Sequence, residues 1–228
     1  MDKTIRTIRK AIGEAGKGVA PAIVLIVDTN ILADIGWTRD QNTIHLIEYA
    51  ARFPKLFVCC PRICAIEFKR VTQSEVQSLK KFREDFKKVF SEIKRYEIED
   101  VDKILDGFSV IKGHFDELID KLQRAPLYVL DKLSAILYIF DNPLPIQHTM
   151  AYYVSSDPEY NLQYNDALVF SFVKLVGKAL DGESKVLFLT KDSDFDIEKV
   201  LAELREANVE IYFASGECLQ RIKEGLRV

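Results

Sequence analysis

The sequence predicts an α/β protein with three layers, in which helices cover both faces of a mostly parallel central sheet. Short apolar runs alternate along the chain with stretches of helical periodicity, and this alternation is typical of parallel sheets. The chain has 228 residues, of which 48% are hydrophobic and 29% charged, with only 10 Gly and 7 Pro. This composition indicates a chain that is folded nearly throughout and buries a large core.

Residues 1–20 are predicted to form a helical extension before the α/β domain, which would occupy 21–228. The extension reads as a short amphipathic helix that could contact a partner or another subunit. It lacks the unbroken apolar run of a secretory signal. No stretch reaches the roughly 18 to 20 apolar residues needed to cross a bilayer. We therefore expect a cytoplasmic protein without membrane association.

Four apolar runs are the predicted strands. They lie at 22–27 (AIVLIV), 55–60 (KLFVCC), 185–190 (KVLFLT) and 209–214 (VEIYFA). Helical patterns separate them: NTIHLIEYAAR follows the first strand, NDALVFSFVKLVGKAL precedes the third, and DIEKVLAELREAN follows it. Strands that are apolar on both faces must be covered on both faces, which favours a parallel sheet between two helical layers.

The middle of the chain, at about 74–157, is predicted to be a helical insertion. No strand is evident between 74 and about 141, and EVQSLKKFREDFKKVFSEIKRY repeats apolar residues at helical spacing. A tyrosine-rich stretch at 146–166 could pack against the sheet or stack on unpaired bases. The inserted helix also carries basic residues that could bind phosphate or simply face solvent. The candidates are Lys80, Lys81, Lys87 and Lys88.

Cysteine and histidine spacing indicates neither disulfides nor a zinc site. The four cysteines lack the density of a disulfide framework, so we expect buried, reduced thiols. They are Cys59, Cys60, Cys64 and Cys218. The three histidines are dispersed and are expected to be structural or surface residues. They are His45, His114 and His148.

Carboxylates are predicted to gather at one edge of the sheet. Asp28 directly follows the first strand, and Asp192 and Asp194 follow the third. In open parallel sheets, ligands bind in the crevice beyond the carboxyl ends of the strands. Glu67 comes soon after the second strand, and Asp166 begins a long apolar helix. Together these acids favour a site for a divalent cation.

Each acid also has an ordinary structural interpretation. Asp28 could cap the next helix, Asp166 could interact with a helix dipole, and Asp192 could shape a loop. Glu67 is the hardest to explain in this way. Apolar residues flank it in the sequence, and an unpaired buried carboxylate is costly.

Four short motifs occur in a fixed order along the chain: VDTN, AIEF, NDAL and LTKDSDF. With these motifs the chain resembles PIN-domain ribonucleases over about 22–72 and 160–215, and the helical middle lies outside the resemblance. The resemblance places the family's acidic residues on Asp28, Glu67, Asp166 and Asp192. It places polar supporting residues on Asn30 and Thr190, and Asp194 could replace or assist Asp192.

This resemblance implies a metal-dependent endoribonuclease that leaves 5′-phosphate and 3′-hydroxyl ends. The carboxylates would hold Mg²⁺ or Mn²⁺, which prefer hard oxygen ligands and can activate water against a phosphodiester. Single-stranded RNA is the expected substrate. The net charge of -3 means that any RNA-binding surface would be a local basic patch. RNA processing, turnover, defence and a toxin paired with an antitoxin protein all stay open, as does a homodimer.

Three other functions stay open. A phosphatase with an aspartyl nucleophile would need a second Asp two residues after Asp28, where this chain has Asn30. An inactive PIN-like fold could bind RNA or a protein without cleaving anything. The stretch DSDFDIEKVLAE suggests a calcium-binding loop of the EF-hand type, although Ile197 stands where an EF-hand requires Gly. Its ligands would be Asp192, Asp194, Asp196 and Glu203.

Overall fold

A computed structural model describes residues 2–16, 18–93, 95, 101–137 and 162–226. Its centre is a parallel sheet of five strands with helices on both faces, so the predicted three-layer α/β/α architecture is confirmed. The strands are β1 (Ile23–Val27), β2 (Leu56–Pro61), β3 (Ala135–Leu137), β4 (Lys185–Leu189) and β5 (Val209–Tyr212).

The strand order is β3-β2-β1-β4-β5, with β1 at the centre. Every residue of β1 is buried, because helices cover this strand on both faces. The chain adds strands on one side of β1 first and on the other side later. The topological switch point therefore lies between the carboxyl ends of β1 and β4, where a ligand is expected in this class of sheet.

Eight helices are described around the sheet. They are α1 (Asp2–Ala15), α2 (Thr29–Trp37), α3 (Gln41–Ala50), α4 (Arg62–Ile93), α5 (Val101–Asp131), α6 (Tyr164–Ala179), α7 (Glu198–Glu206) and α8 (Ser215–Gly225). Right-handed crossovers place α2 to α5 on one face and α6 and α7 on the other. The helix α1 packs against α6, and α8 packs against α3. In the described part of the chain, none of the helices combines the length and apolar character that crossing a membrane requires.

The helix α1 packs its apolar side against its own chain. Ile8 and Ile12 are 1% and 2% exposed and belong to the main core. Arg9 donates a hydrogen bond to the carbonyl oxygen of Ala179 and pairs with Glu183 at 3.0 Å. The predicted helix is present, but its apolar side is already covered by α6. A sequence periodicity identifies an apolar face without identifying what covers it.

The middle of the chain differs from its prediction in two respects. The helix α4 begins directly after β2, so the predicted insertion continues a core helix and pairs with α5 as a hairpin. The sequence also predicted no strand between 74 and about 141, and this was wrong because β3 pairs with β2 at the edge of the sheet. Only three residues long, β3 has a single buried side chain, Leu137, and is too short for a periodic pattern.

The four cysteines are buried free thiols, as predicted. Burial raises the pKa of Cys60 and of Cys218 to about 12. These thiols are therefore protonated at neutral pH. Their role is to fill the core as small apolar residues.

Gly177 marks a close approach of α6 to the segment that joins α7 to β5. A methyl group there would overlap the carbonyl oxygen of Ala207 and lie 2.5 Å from Cγ2 of Val209. We expect Gly177→Ala to lower the free energy of unfolding by about 3 kcal/mol, as measured by urea denaturation. Gly113→Ala is the control, because no atom lies within 4 Å of the added methyl. It should raise stability by up to about 1 kcal/mol. Equal effects of the two changes would contradict this packing.

Candidate metal centre

Asp28 links the carboxyl ends of the two central strands. Its backbone N–H donates to the carbonyl oxygen of Leu189 at 3.2 Å, and its side chain is at the start of α2. Oδ1 accepts a hydrogen bond from the backbone N–H of Thr29 at 2.6 Å, and Oδ2 accepts one from the hydroxyl of Thr190 at 2.8 Å. Asp28 therefore caps α2, as one interpretation of the sequence held, and also faces the topological switch point.

The Asp28 carboxylate is buried, with only 6% of the residue exposed. Weaker contacts complete its surroundings: the amide nitrogen of Asn30 lies 3.4 Å from Oδ2, and the thiol of Cys64 lies 3.5 Å from Oδ1. Burial raises the pKa of Asp28, the hydrogen bonds from Thr190, Thr29 and Cys64 oppose this rise, and the charge of Asp192 adds to it. All its partners are neutral donors, so the charge of Asp28 is solvated but not neutralised.

Glu67 reaches the site from α4. Its Oε2 accepts a hydrogen bond from the hydroxyl of Thr29 at 2.8 Å, and the Arg70 guanidinium lies 4.0 Å from Oε1. The side chain is 27% exposed. The apolar surroundings expected from the sequence are only partly present, since Phe68 is buried while Ile66 is 52% exposed. Neighbours in a helix point in different directions, so flanking apolar residues do not enclose the residue between them.

Asp166 is under the electrostatic influence of the other proposed acids. It lies in the first turn of α6 and is partly buried. Burial raises its pKa most, and the negative charges of four other carboxylates then raise it further, to about 7. In order of decreasing effect, these are Asp192, Asp28, Asp194 and Glu67. The charges of the four other acids that the sequence proposed therefore all act on Asp166.

The loop after β4 contributes Asp192 and Asp194. The hydroxyl oxygen of Thr190 accepts a hydrogen bond from the backbone N–H of Asp192 at 3.0 Å. Oδ1 of Asp192 accepts one from the backbone N–H of Asp194 at 2.9 Å, which caps the short 3-10 turn Ser193–Phe195. Asp192 therefore shapes its loop, and its charge also raises the pKa of Asp166. Thr190, fully buried, ties this loop to Asp28.

The calcium-loop pattern does not assemble. Glu203, its proposed twelfth position, lies on α7 and pairs with Lys174 of α6. Asp196 is exposed. Because Lys174 already engages Glu203, the twelfth position is not directed at the loop, and the match to an EF-hand is one of sequence spacing.

Mg²⁺ or Mn²⁺ suits the chemistry of these side chains. Within the described ranges, no Lys, Arg or His forms an ion pair with Asp28, Asp166, Asp192 or Asp194. Carboxylates gathered without a cation oppose one another, and a divalent ion with oxygen ligands relieves that repulsion. No three His, Cys, Asp or Glu side chains of the described residues stand in position to hold an ion. Binding would therefore require side chains to rotate toward the ion.

The four lysines proposed to bind phosphate lie exposed on α4. Lys87 pairs with Glu84 at 2.8 Å and Lys88 with Asp85 at 3.0 Å, as on an ordinary solvated helix. A helix turns about 100° per residue, so Lys81 projects from the same side of α4 as Glu67 while Lys80 projects from nearly the opposite side. Lys87, twenty residues after Glu67, also projects from nearly the opposite side, so neither Lys80 nor Lys87 faces the site.

Three contacts of the site were missed by sequence reasoning. They involve the hydroxyl of Thr29, the thiol of Cys64 and the ammonium group of Lys191. Thr29 and Lys191 lie inside the motifs VDTN and LTKDSDF, and Cys64 lies one helical turn before Glu67, so each had a positional signal. Of the histidines, His45 and His114 are exposed, and His148 lies outside the described residues, as does most of the tyrosine-rich stretch.

Comparisons with protein-family models, with curated proteins and with solved structures each found no match. The resemblance to PIN-domain ribonucleases accordingly depends on the four motifs of the sequence. The position of the acids at the switch point of a parallel sheet is a separate, physical reason to treat this edge as a candidate centre.

Proposed function

We propose that this protein is a metal-dependent endoribonuclease of the PIN type that cleaves single-stranded RNA. The observation that carries the proposal is Asp166, whose pKa is raised first by burial and then by the negative charges of four other carboxylates. Glu67 has Arg70 at 4.0 Å, whereas Asp28, Asp166, Asp192 and Asp194 form no ion pair among the described residues. Acids left unpaired in this way are suited to holding divalent ions. Oxygen-rich sites for Mg²⁺ or Mn²⁺ are the usual means by which proteins hydrolyse phosphodiesters.

The side chains would divide the work between holding the ion and keeping its ligands in place. Asp28, Asp166 and Asp192 would supply most of the oxygen ligands, with Glu67 and Asp194 at the margin. When bound, the ion would supply an activated water and stabilise the charge that develops on the phosphodiester. Thr190 and Asn30 hold Asp28, and Thr29 holds Glu67, so these neutral donors would orient the carboxylates.

An aspartyl nucleophile fits this site less well. Both Asp28 oxygens accept hydrogen bonds, and the amide of Asn30 occupies the place of the second acid that such a phosphatase needs. A neutral amide cannot protonate a leaving oxygen as a carboxylic acid can. An active nuclease and an inactive PIN-like protein that only binds RNA would use the same side chains. They would differ in whether the RNA is cleaved.

The proposal is tested by incubating the purified protein with single-stranded RNA of mixed sequence and either Mn²⁺ or Mg²⁺. We expect cleavage that EDTA abolishes, with products that carry 5′-phosphate and 3′-hydroxyl ends. Cleavage that survives EDTA, or products ending in a 2′,3′-cyclic phosphate, would contradict a mechanism based on metal-activated water. RNA binding without cleavage under every metal condition would favour the inactive alternative.

A further inference from the structure

Lys191 lies between two residues of the candidate centre, Thr190 and Asp192, and its side chain points to another part of the chain. Its ammonium nitrogen lies 2.5 Å from Oδ2 of Asp34 and 2.8 Å from Oδ2 of Asp40. Asp34 belongs to α2, and Asp40 caps α3. One cation therefore connects the loop after β4 to two helices that follow β1.

Asp34 needs the ion pair with Lys191 because its carboxylate is buried. Asp34 is only 9% exposed, and its Oδ2 receives no well-directed hydrogen bond, so the Lys191 charge is what compensates it. A buried carboxylate that loses its cation is strongly unfavourable. The contact with Asp40 is a true hydrogen bond. Burial alone would raise the pKa of Asp40. Hydrogen bonds from Lys191, Thr43 and Asn42 outweigh burial and lower this pKa to about 2.

The backbone of Lys191 takes part in the same connection. Its N–H donates to Oδ1 of Asn30 at 3.1 Å, next to the hydrogen bond between Thr190 and Asp28. The loop that carries Asp192 is thus attached to α2 in three ways: the Lys191 side chain pairs with Asp34, the Lys191 N–H binds Asn30, and the Thr190 hydroxyl binds Asp28. These attachments set the position of Asp192 relative to Asp28, which lies at the start of α2.

We propose that Lys191 is a positioning residue for the metal centre, which it serves by pairing with Asp34 and Asp40 and so holding the loop of Asp192 against the helix that Asp28 begins. Lys191 would not touch the ion or the substrate. Lys191 also neutralises the charges of Asp34 and Asp40 next to the loop. The inference rests on the proposed metal site but not on RNA as the substrate.

The test measures Mn²⁺ binding directly, by electron paramagnetic resonance of the free ion, in the full-length protein. We expect Lys191→Met to weaken Mn²⁺ binding by about tenfold, which is the usual size of an effect from residues that orient metal ligands. Lys191→Arg keeps the positive charge and should restore binding to within a few-fold of wild type. RNA cleavage should follow the same order at limiting Mn²⁺ and converge at saturating Mn²⁺.

Lys174→Met is the matched control, because it removes another partly buried ion pair, that with Glu203. Lys174 lies eight residues beyond Asp166 on α6, about 12 Å along the helix axis. Both variants should lose thermal stability, and only Lys191→Met should lose Mn²⁺ affinity. Equal Mn²⁺ affinities for Lys191→Met and Lys174→Met would overturn the role of Lys191 alone. A wild-type protein that binds no Mn²⁺ would overturn the metal centre, whereas one that binds Mn²⁺ but cleaves no RNA would overturn only the proposed function.

Discussion

Asp28→Asn is expected to reduce metal-dependent RNA cleavage by roughly 1,000-fold, which corresponds to about 4 kcal/mol of transition-state stabilisation. Asn is nearly the same size and keeps one acceptor oxygen, so Thr29 or Thr190 retains a partner. The change removes the negative charge at the point where the carboxyl ends of β1 and β4 meet. Single-turnover cleavage at saturating Mn²⁺ measures the loss.

The same substitution should make the metal-free protein more stable, by about 1 kcal/mol, because it removes a buried charge that no cation compensates. A substitution that lowers the cleavage rate but raises the free energy of unfolding identifies an acid that serves function, whereas loss of a structural acid would lower stability. Asp196→Asn is the control, since Asp196 is exposed in the same loop. It should change activity by no more than about twofold. Cleavage by Asp28→Asn at the wild-type rate would refute the role assigned to Asp28.

The metal-free protein is expected to lose stability as pH rises from about 4 to about 7. The pKa of Asp166 is about 7 in the folded state, above its ordinary value of 3.8. Across this interval the folded state holds a proton that the unfolded state has released, so stability falls as pH rises. The contribution is complete below pH 3.8 and is lost as pH passes through 7. Allowing for the partial exposure of Asp166, we expect a change of about 2 kcal/mol.

Urea denaturation at a series of pH values, in EDTA and in Mn²⁺, measures this dependence. Bound metal needs deprotonated carboxylates, so in Mn²⁺ stability should instead rise over the same interval. Asp166→Asn should reduce the slope in EDTA, because it removes one of the groups whose pKa is raised, while the buried Asp28 keeps part of the dependence. If this variant keeps the wild-type slope, the proton belongs to another group and the acids do not act on Asp166 as described.

The predicted strands were accurate where burial on both faces leaves an unbroken apolar run. The run at 22–27 became Ile23–Val27, and the run at 185–190 became Lys185–Leu189. The edge strand β3 was missed because one buried side chain in three residues leaves no periodic signal. A helix carrying Glu67 was predicted just beyond the second strand, whereas the insertion was predicted to begin only at about 74. The two are one helix, because α4 runs from Arg62 to Ile93 without a break.

The sequence by itself determined the class of fold and the edge of the sheet at which the acids would lie. Both follow from local physics: apolar runs must be covered, and a polar residue that ends a buried parallel strand faces the crevice at its carboxyl end. Asp28 and Asp192 could therefore be proposed from position alone. Asp166 and Glu67 were also candidates from their positions in predicted helices, and the motif resemblance then included both.

Only the tertiary structure decided which side chains meet at that edge. The order of the strands puts β4 beside β1, and this places Thr190 against Asp28 and Lys191 against Asp34. The packing of α4 brings Cys64 to the carboxylate of Asp28. Periodicity in a sequence reports how each element is buried, but it contains no information on the pairing of groups from distant elements. Those pairings depend on crossovers and helix packing, which exist only once the chain has folded.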